Sequence, residues 1–221
     1  MIDSEFEKEA PLDSVEERIP YRAWQAVPLA GPKPSDGFEV QRVDDISRSR
    51  SGRRHVVMGY GRASGQGAGT VKQGFKSILT QRLNSPRAGL YIASVNVAAC
   101  GPTEQYYKDV WQKHFTVRLV LFGYKDLQKT VYDVREYASV QLTPAFSVDG
   151  TAPNYERFEC QRKLRGQDDN AHEINMGIGV SIVIEKTSPG VLDLSKGSLW
   201  LRIDDVFVDF NARPRDDTVK I

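Results

Sequence analysis

The sequence lacks the residues and spacings from which most metal and catalytic sites are built. It has two cysteines, Cys100 and Cys160, and three histidines, none of which lies near another at the spacing of metal ligands. No Gly-Lys-Ser or Gly-Lys-Thr occurs, and the glycines at 59–65 are spaced one residue too far apart for a dinucleotide fingerprint. We therefore expect no metal, no cofactor and no enzymatic activity.

Long apolar runs are also missing, and we expect no signal peptide at the start of the sequence. No apolar run reaches the length of a membrane-spanning helix. The first ten residues are acidic and have no apolar core, unlike a signal peptide. Two cysteines do not make a disulfide framework, so we expect a reducing compartment, with Cys160 in the core.

Acidic residues are absent from one long stretch, which is the strongest compositional signal. The chain has 29 acidic and 30 basic side chains, yet Ile46 to Thr103 contains no Asp or Glu. Such purity of sign predicts binding of nucleic acid or an anionic membrane. The predicted binding residues are Arg48, Arg50, Arg53, Arg54, Arg62, Lys72, Lys76, Arg82 and Arg87. The Ser-Arg repeat at 47–50 is also compatible with a nuclear import signal or a phosphorylation site.

Residues 1–37 are predicted to form a mobile, acidic, proline-containing arm. Prolines interrupt any helix there, and apolar periodicity is missing. Four apolar residues nevertheless lie close together, and we predict that they mediate self-association by docking on a neighbouring copy. These residues are Tyr21, Trp24, Val27 and Leu29.

The most regular stretch of the chain is Ile174–Ile184, where apolar residues occupy every second position. This alternation predicts the central strand of an antiparallel sheet. Gly177 and Gly179 on its other face would let another element, such as a helix, pack closely.

The remaining patterns predict an α+β fold. Val71, Phe75, Ile78 and Leu79 have helical spacing, which predicts a helix over 70–84, and Thr103 caps a second helix ending near His114. Further strands are predicted at 38–43, 90–99, 115–122, 131–142, 155–164 and 199–210. The predicted domain, 38–221, is a single compact unit with a twisted antiparallel sheet, a few packed helices and a basic glycine-rich loop at 47–69. The flexible N-terminal arm precedes it.

The last strand contains a change of apolar phase. The odd-numbered apolar residues before Asp204-Asp205 are Leu199, Leu201 and Ile203. The even-numbered ones after this pair are Val206, Val208 and Phe210. One inserted residue would return both halves to the same buried face. The sequence therefore predicts a β-bulge at Asp204-Asp205.

Several of these segments, read together, resemble a rhabdovirus matrix protein. The similar stretches are Ala98–Pro102, Phe115–Phe122, Met176–Ile184 and Gly197–Ile203. The resemblance implies a compact domain with helices packed on one sheet, and binding to ribonucleoprotein and the inner membrane face. It also implies self-association during virion assembly and budding.

The leading hypothesis is thus a non-enzymatic viral matrix protein located in the virion and the host cytoplasm. Its expected partners are itself, viral ribonucleoprotein or RNA, and an anionic membrane surface. One alternative is a viral capsid or cell-to-cell movement protein that binds nucleic acid through the basic segment. Another is a cellular lipid-binding β-sandwich or an unrecognised enzyme.

Overall fold

Alternating apolar residues build strands along most of the chain in the computed structural model. It describes residues 25–29, 38–45, 47–50, 54–60, 70–71, 73–83, 89–124, 134–148, 151–164, 177–194 and 199–211. The strands are β1 (Gln25–Leu29), β2 (Phe38–Asp44), β3 (Arg54–Tyr60), β4 (Thr70–Val71), β5 (Lys76–Leu83), β6 (Gly89–Gly101), β7 (Phe115–Tyr124), β8 (Val134–Gln141), β9 (Phe146–Val148), β10 (Glu156–Leu164), β11 (Gly177–Lys186), β12 (Leu192–Asp193) and β13 (Leu199–Asn211). A helix, α1 (Glu104–Tyr107), continues into a π-helical turn, Lys108–Gln112.

The strands form two main sheets. Sheet 1 has the order β1-β5-β11-β7-β8, and sheet 2 has the order β10-β6-β13-β3-β2, with every neighbouring pair antiparallel. Strand β9 runs parallel to the end of β6, and β12 pairs with β4 as a short ribbon. The predicted central strand is confirmed, since β11 occupies the middle of sheet 1.

One core lies between the two sheets. Leu119 and Ile182 from sheet 1 belong to the same buried cluster as Val95 and Ile203 from sheet 2. Because each strand turns every second side chain inward, two such faces bury each other without a helical layer. The architecture is therefore a β-sandwich.

The predicted α+β class is wrong, and so is the predicted helix over 70–84. That segment is β4, a turn containing Gly74 at φ +80°, and then β5. Strand β5 is hydrogen-bonded to β1 on one side and to β11 on the other. A short apolar pattern fits helix and strand alike, and pairing on both edges made it a strand.

The second predicted helix is confirmed. Thr103 is its N-cap, with Oγ1 accepting a hydrogen bond from the Tyr106 backbone N–H at 3.1 Å. Tyr107 and Trp111 are buried, one turn apart, on the side that faces the core.

The predicted bulge is also confirmed. The register between β13 and β6 shifts between Asp204 and Phe207, and Asp205 has a left-handed φ of 48°. Leu201 and Ile203 before the bulge and Val206 after it all lie in the core. The extra residue thus keeps Val206 in the core after the bulge, and Val208 packs against the core.

Part of the predicted arm belongs to sheet 1. Gln25–Leu29 is the edge strand β1, in which Val27 is opposite Ile78 and Leu29 is opposite Lys76. An edge position is where a strand tolerates Pro28. Tyr21 and Trp24 lie outside the described residues, and a mobile arm over the rest of 1–37 stays a prediction.

Candidate functional site

Acidic side chains lie beside several of the predicted basic residues, so the surface around them is not uniformly positive. Arg48 Nε lies 3.6 Å from Asp45 Oδ2, Arg50 Nη1 lies 3.1 Å from Asp205 Oδ2, and Lys76 Nζ lies 3.7 Å from Glu185 Oε2. Two of these acids come from strands far away in the sequence. An acid-free stretch therefore does not imply an acid-free surface, because pairing brings acids from other strands to it.

The structure does not describe the side chains of the other predicted basic residues. Arg54 lies in β3 and Arg82 in β5, but their side chains are not described. Arg53, Arg62, Lys72 and Arg87 lie outside the described residues. That the nine bases form one surface stays a prediction.

A buried polar network lies on the outer face of sheet 2, around the bulge. Asp204 Oδ2 accepts a hydrogen bond from the Arg50 backbone N–H at 2.8 Å. Asp205 Oδ2 accepts bonds from Asn96 Nδ2 and Arg50 Nη1, both at 3.1 Å. The network fastens the segment around Arg50 to the bulge, so both acids of the pair have structural partners.

Two cationic or potentially cationic side chains meet beside this network. Arg202 Nη1 lies 2.6 Å from His55 Nε2, and both residues are buried. A guanidinium only donates, so Nε2 of His55 accepts and its Nδ1 carries the proton, which points at Ser49 Oγ 3.1 Å away. Tyr155 donates to the Arg48 carbonyl oxygen at 2.8 Å, and burial, followed by the charge of Asp204, raises the pKa of its hydroxyl.

A second buried cation closes a turn on sheet 1. Lys186 Nζ donates to the carbonyl oxygens of Ser188 at 2.7 Å and Gly190 at 2.9 Å, and burial lowers the pKa of this amine. His114 Nδ1 lies 2.9 Å from Ser188 Oγ. Burial first, then the charges of Lys113 and Lys186, lower the pKa of His114.

The candidate binding site is a cleft of about 320 Å³ at one end of the sandwich. The helical segment, the start of β7 and the segment after β8 meet Leu201 of β13 there. The cleft is lined by Tyr107, Trp111, Gln112, Phe115, Val117, Gln141, Leu142, Thr143, Pro144 and Leu201.

Packed aromatic rings hold the walls of this cleft. The Trp111 ring centroid lies 4.9 Å from that of Phe115, and Tyr107 stacks against Phe146 at 5.8 Å. Tyr107 Oη donates to the Pro144 carbonyl oxygen at 3.0 Å. These contacts tie the helical segment to β7 and to the segment after β8, so the cleft is preformed.

The lining carries no charged side chain. Gln112, Gln141 and Thr143 are exposed and offer two amides and a hydroxyl. Burial, opposed by a hydrogen bond from the Gln112 side chain, raises the pKa of Tyr107 to about 12. Tyr107 is therefore protonated and neutral over the physiological pH range.

One of the lining residues has a polar atom that is inaccessible and has no partner in the described part of the chain. Trp111 is 3% exposed, and its indole Nε1 is buried without a hydrogen-bond acceptor. A buried donor without an acceptor is uncommon and calls for an explanation.

The cleft suits binding rather than bond breaking. It offers aromatic side chains, two amides and a hydroxyl, and Tyr107 is the only ionisable group among the described lining residues. Among the described residues, no three metal-type side chains come together, and no helix is long and apolar enough to cross a membrane. Cys160 is buried, which raises its thiol pKa to about 11, as expected of a core cysteine.

The sequence predicted the helix that carries Tyr107 and Trp111 but did not assign these residues to a site. Gln112, Gln141 and Thr143 carried no local signal at all. The cleft draws on three separate stretches, 107–117, 141–144 and 201, and only the pairing of their strands brings them together.

Comparison with known proteins finds similarity in structure but not in sequence family. No protein-family model matches the sequence, and no curated protein matches it. The chain is similar in structure to TmCBM61 in complex with β-1,4-galactotriose, with 15% identity, 86% of this chain and 90% of that chain covered, and a TM-score of 0.45.

Two other solved structures show the same level of similarity. One comes from work on carbohydrate-binding modules of the β-sandwich superfamily, with 7% identity, 84% of this chain and 56% of that chain covered, and a TM-score of 0.47. The other is the K1 cleaved adhesin domain of Lys-gingipain from Porphyromonas gingivalis W83, with 10% identity, 90% and 96% covered, and a TM-score of 0.47.

The resemblance to rhabdovirus matrix proteins is wrong. No family model supports it, and it implied helices packed on one sheet, whereas the chain has two sheets packed face to face. The structures named above are described as carbohydrate-binding modules and an adhesin domain, not as viral matrix proteins.

The predicted partners are corrected with the resemblance. Viral ribonucleoprotein, RNA and an anionic membrane are wrong as partners. The first followed from the matrix resemblance, and the other two from the acid-free stretch, beside which Asp205 and Glu185 in fact lie. Self-association through Tyr21, Trp24, Val27 and Leu29 stays a prediction. The backbones of Val27 and Leu29 pair within the chain, in β1. The β-sandwich of the last alternative hypothesis is the fold that is observed.

Proposed function

We propose that this protein is a non-catalytic binding module that takes a neutral, hydroxyl-rich ligand, a carbohydrate, in the end cleft. The observation that carries the proposal is the composition of the cleft: buried aromatic walls, an amide and hydroxyl rim, and no charged side chain. Sugar rings present apolar C–H faces and polar hydroxyl edges. The walls suit the first and the rim suits the second.

The size and stiffness of the cleft support a short ligand. A volume of about 320 Å³ is at the small end of ligand pockets, so the cleft fits a sugar or the end of a sugar chain. Tyr107 and Trp111 are held by ring contacts and by the bond from Tyr107 to Pro144. These side chains are already ordered, so binding costs little side-chain conformational entropy.

The neutrality of the lining supports an uncharged ligand. A buried or half-buried anion needs a cation or several donors, and the described lining contains no Lys, Arg or His. Neutral oligosaccharides should therefore bind better than uronic-acid oligosaccharides of the same length.

Calorimetric titration of the full chain with β-1,4-galactotriose and a panel of neutral oligosaccharides tests the proposal. We expect saturable binding to at least one saccharide of the panel. Gln141→Ala should weaken that binding about fivefold, the worth of one lost hydrogen bond. Thr143→Trp should abolish it, because Thr143 is exposed at the rim and the larger ring would fill the mouth.

A matched variant controls for effects outside the cleft. Gln161→Ala also removes an exposed glutamine from an edge strand, β10 instead of β8, and Gln161 does not line the cleft. It should bind like the wild type. The proposal is overturned if the folded wild type binds no saccharide of the panel, or if Thr143→Trp binds as well as the wild type.

A further inference from the structure

We propose that residues 45 and 47–50 form a pH-sensitive strap, which neutral His55 holds against the outer face of sheet 2 and protonated His55 releases. The strap lies in the connection between β2 and β3. None of its residues lines the end cleft, so this inference does not depend on the proposed function.

Polar bonds to residues far away in the sequence hold the strap on the sheet. The Arg50 backbone N–H donates to Asp204 Oδ2 at 2.8 Å, and Arg50 Nη1 donates to Asp205 Oδ2 at 3.1 Å. Tyr155 Oη donates to the Arg48 carbonyl oxygen at 2.8 Å. No described residue of the strap belongs to a buried apolar cluster, so its attachment depends on polar bonds.

His55 joins the strap to β13 through hydrogen bonds whose directions are fixed. A guanidinium only donates, so Arg202 Nη1 donates to His55 Nε2, 2.6 Å away. Ser49 Oγ donates to the Asp45 carbonyl oxygen at 3.0 Å, so it accepts the proton of His55 Nδ1 at 3.1 Å. Both contacts therefore require the same neutral tautomer, with the proton on Nδ1 and a lone pair on Nε2.

Protonation of His55 breaks this arrangement at Nε2. The added proton points at an N–H of Arg202, so two donors face each other and two cations lie 2.6 Å apart. His55 is 0% exposed and Arg202 is 2% exposed, so water screens this repulsion poorly. A protonated ring in an opened, solvated strap does not have this cost. Acid therefore favours the open form.

The carboxylates around His55 have donors of their own in the closed form. Asp45 accepts from Ser47 Oγ at 2.6 Å, and its charge acts on the ring of His55. Arg202, by contrast, is in direct contact with the nitrogen that would take the proton. The described charged or titratable groups around His55 are Arg202 on β13, Asp204 and Asp205 at the bulge, Tyr155 before β10, and Asp45, Arg48 and Arg50 in the strap.

The strap should lose its closed form below about pH 6.5, where a solvated histidine takes up a proton. The open form then binds a proton that the closed form excludes. Closure is thus fully favoured above that pH and weakens by up to about tenfold for each pH unit below it. Opening uncovers a polar surface on sheet 2, which contains Asn96, Arg202, Asp204 and Asp205.

Hydrogen exchange of the Arg50 amide in the full-length chain measures closure directly, because this N–H is bonded to Asp204 in the closed strap. Protection factors correct for the pH dependence of exchange itself, and NMR gives them at about pH 7.5 and about pH 5.5, one unit on either side of 6.5. We expect the wild-type protection factor to fall about tenfold between them. His55→Gln should show no fall, because glutamine accepts from Arg202, donates to Ser49 and does not titrate.

Two further variants separate the strap from other causes. His114→Asn removes the other histidine of the described residues, which contacts Ser188 and not the strap. It should show the same fall in Arg50 protection as the wild type. Arg202→Gln keeps an N–H donor for neutral His55 and offers an amide oxygen to the protonated ring, so its strap should stay closed in acid.

The imidazole ¹⁵N shifts of wild-type His55 test the geometry without a substitution. At about pH 7.5 the proton should be on Nδ1, and its change on acidification should share one midpoint with the loss of Arg50 protection. The proposal is overturned if Nε2 carries the proton there, or if wild-type protection falls less than about twofold. It is also overturned if folded His55→Gln loses protection as the wild type does; if that variant does not fold, Arg202→Gln and the wild-type shifts decide.

Discussion

The ring of Phe122 lies against the backbone of Gly179, directly across the pairing of β7 with β11. The two residues are register partners, and a Cβ built on Gly179 would fall on the atoms of that ring. Phe122 is 1% exposed and packs with Ile78, Val120 and Val183 on the outer face of sheet 1. An aromatic ring from the neighbouring strand, not a helix, fills the space that the glycine leaves.

Gly179→Ala should therefore destabilise the protein by about 1–3 kcal/mol, because the methyl group needs the space of a well-packed ring. Urea denaturation followed by circular dichroism measures the change. Combined with Phe122→Leu, the alanine should cost less than in the wild-type background, since the ring is gone. A Gly179→Ala variant as stable as the wild type would show that the ring moves aside freely.

Substitutions at Asp205 should separate backbone strain from the polar network of the bulge. Asp205→Gly removes the acceptor for Asn96 and Arg50, but glycine adopts the left-handed φ without strain. Asp205→Ala removes the same acceptor and also adds backbone strain of about 1–2 kcal/mol. Asp205→Asn keeps an acceptor and tolerates that conformation. Free energies of unfolding should fall in the order wild type, Asn, Gly, Ala; equal values for Gly and Ala would contradict the strain.

His114 should make the protein less stable in mild acid. Burial, Lys113 and Lys186 lower its pKa in the folded state below the ordinary 6.5, so the unfolded state binds the proton more readily. Stability is then fully present above pH 6.5 and is lost as the pH falls through the lower folded pKa. His114→Asn should flatten the dependence of unfolding free energy on pH in that window.

Titration of the His114 ring by NMR checks the cause. Lys113→Gln removes one of the two neighbouring cations and should bring the pKa of His114 closer to 6.5, without changing Lys186. A wild-type His114 that titrates at or above 6.5 would contradict the prediction, whatever the stability curve shows.

The strands were the predictable part of this fold. The even-numbered apolar residues of β11 and the odd-numbered ones of β7 face the core as their alternation requires, and the bulge at Asp204-Asp205 follows from the change of phase. Strand alternation has a period of two, so a single strand shows which of its faces is buried. The cap of the helix at Thr103 is equally local, since its partner is three residues away.

The helix predicted over 70–84 failed because its apolar spacing fits either structure. Strand β5 lies between β1 and β11, and its two ladders of hydrogen bonds decided the matter. The predicted basic surface failed for a related reason: its acidic neighbours come from distant parts of the sequence. Asp205 reaches Arg50 across 155 positions of the chain, and no local pattern reports such a pair.

Residue order thus defines which faces of the strands are buried, where β13 bulges and where the helix begins, because each of these depends on neighbours in the chain. The cleft is different in kind. It exists because β7 and β13 begin, and β8 ends, near one another with the helical segment beside them. This places Trp111, Gln141 and Leu201 around one space. Strand order and register bring such distant residues together, and they follow from the free energy of the whole packed sandwich rather than from any one segment.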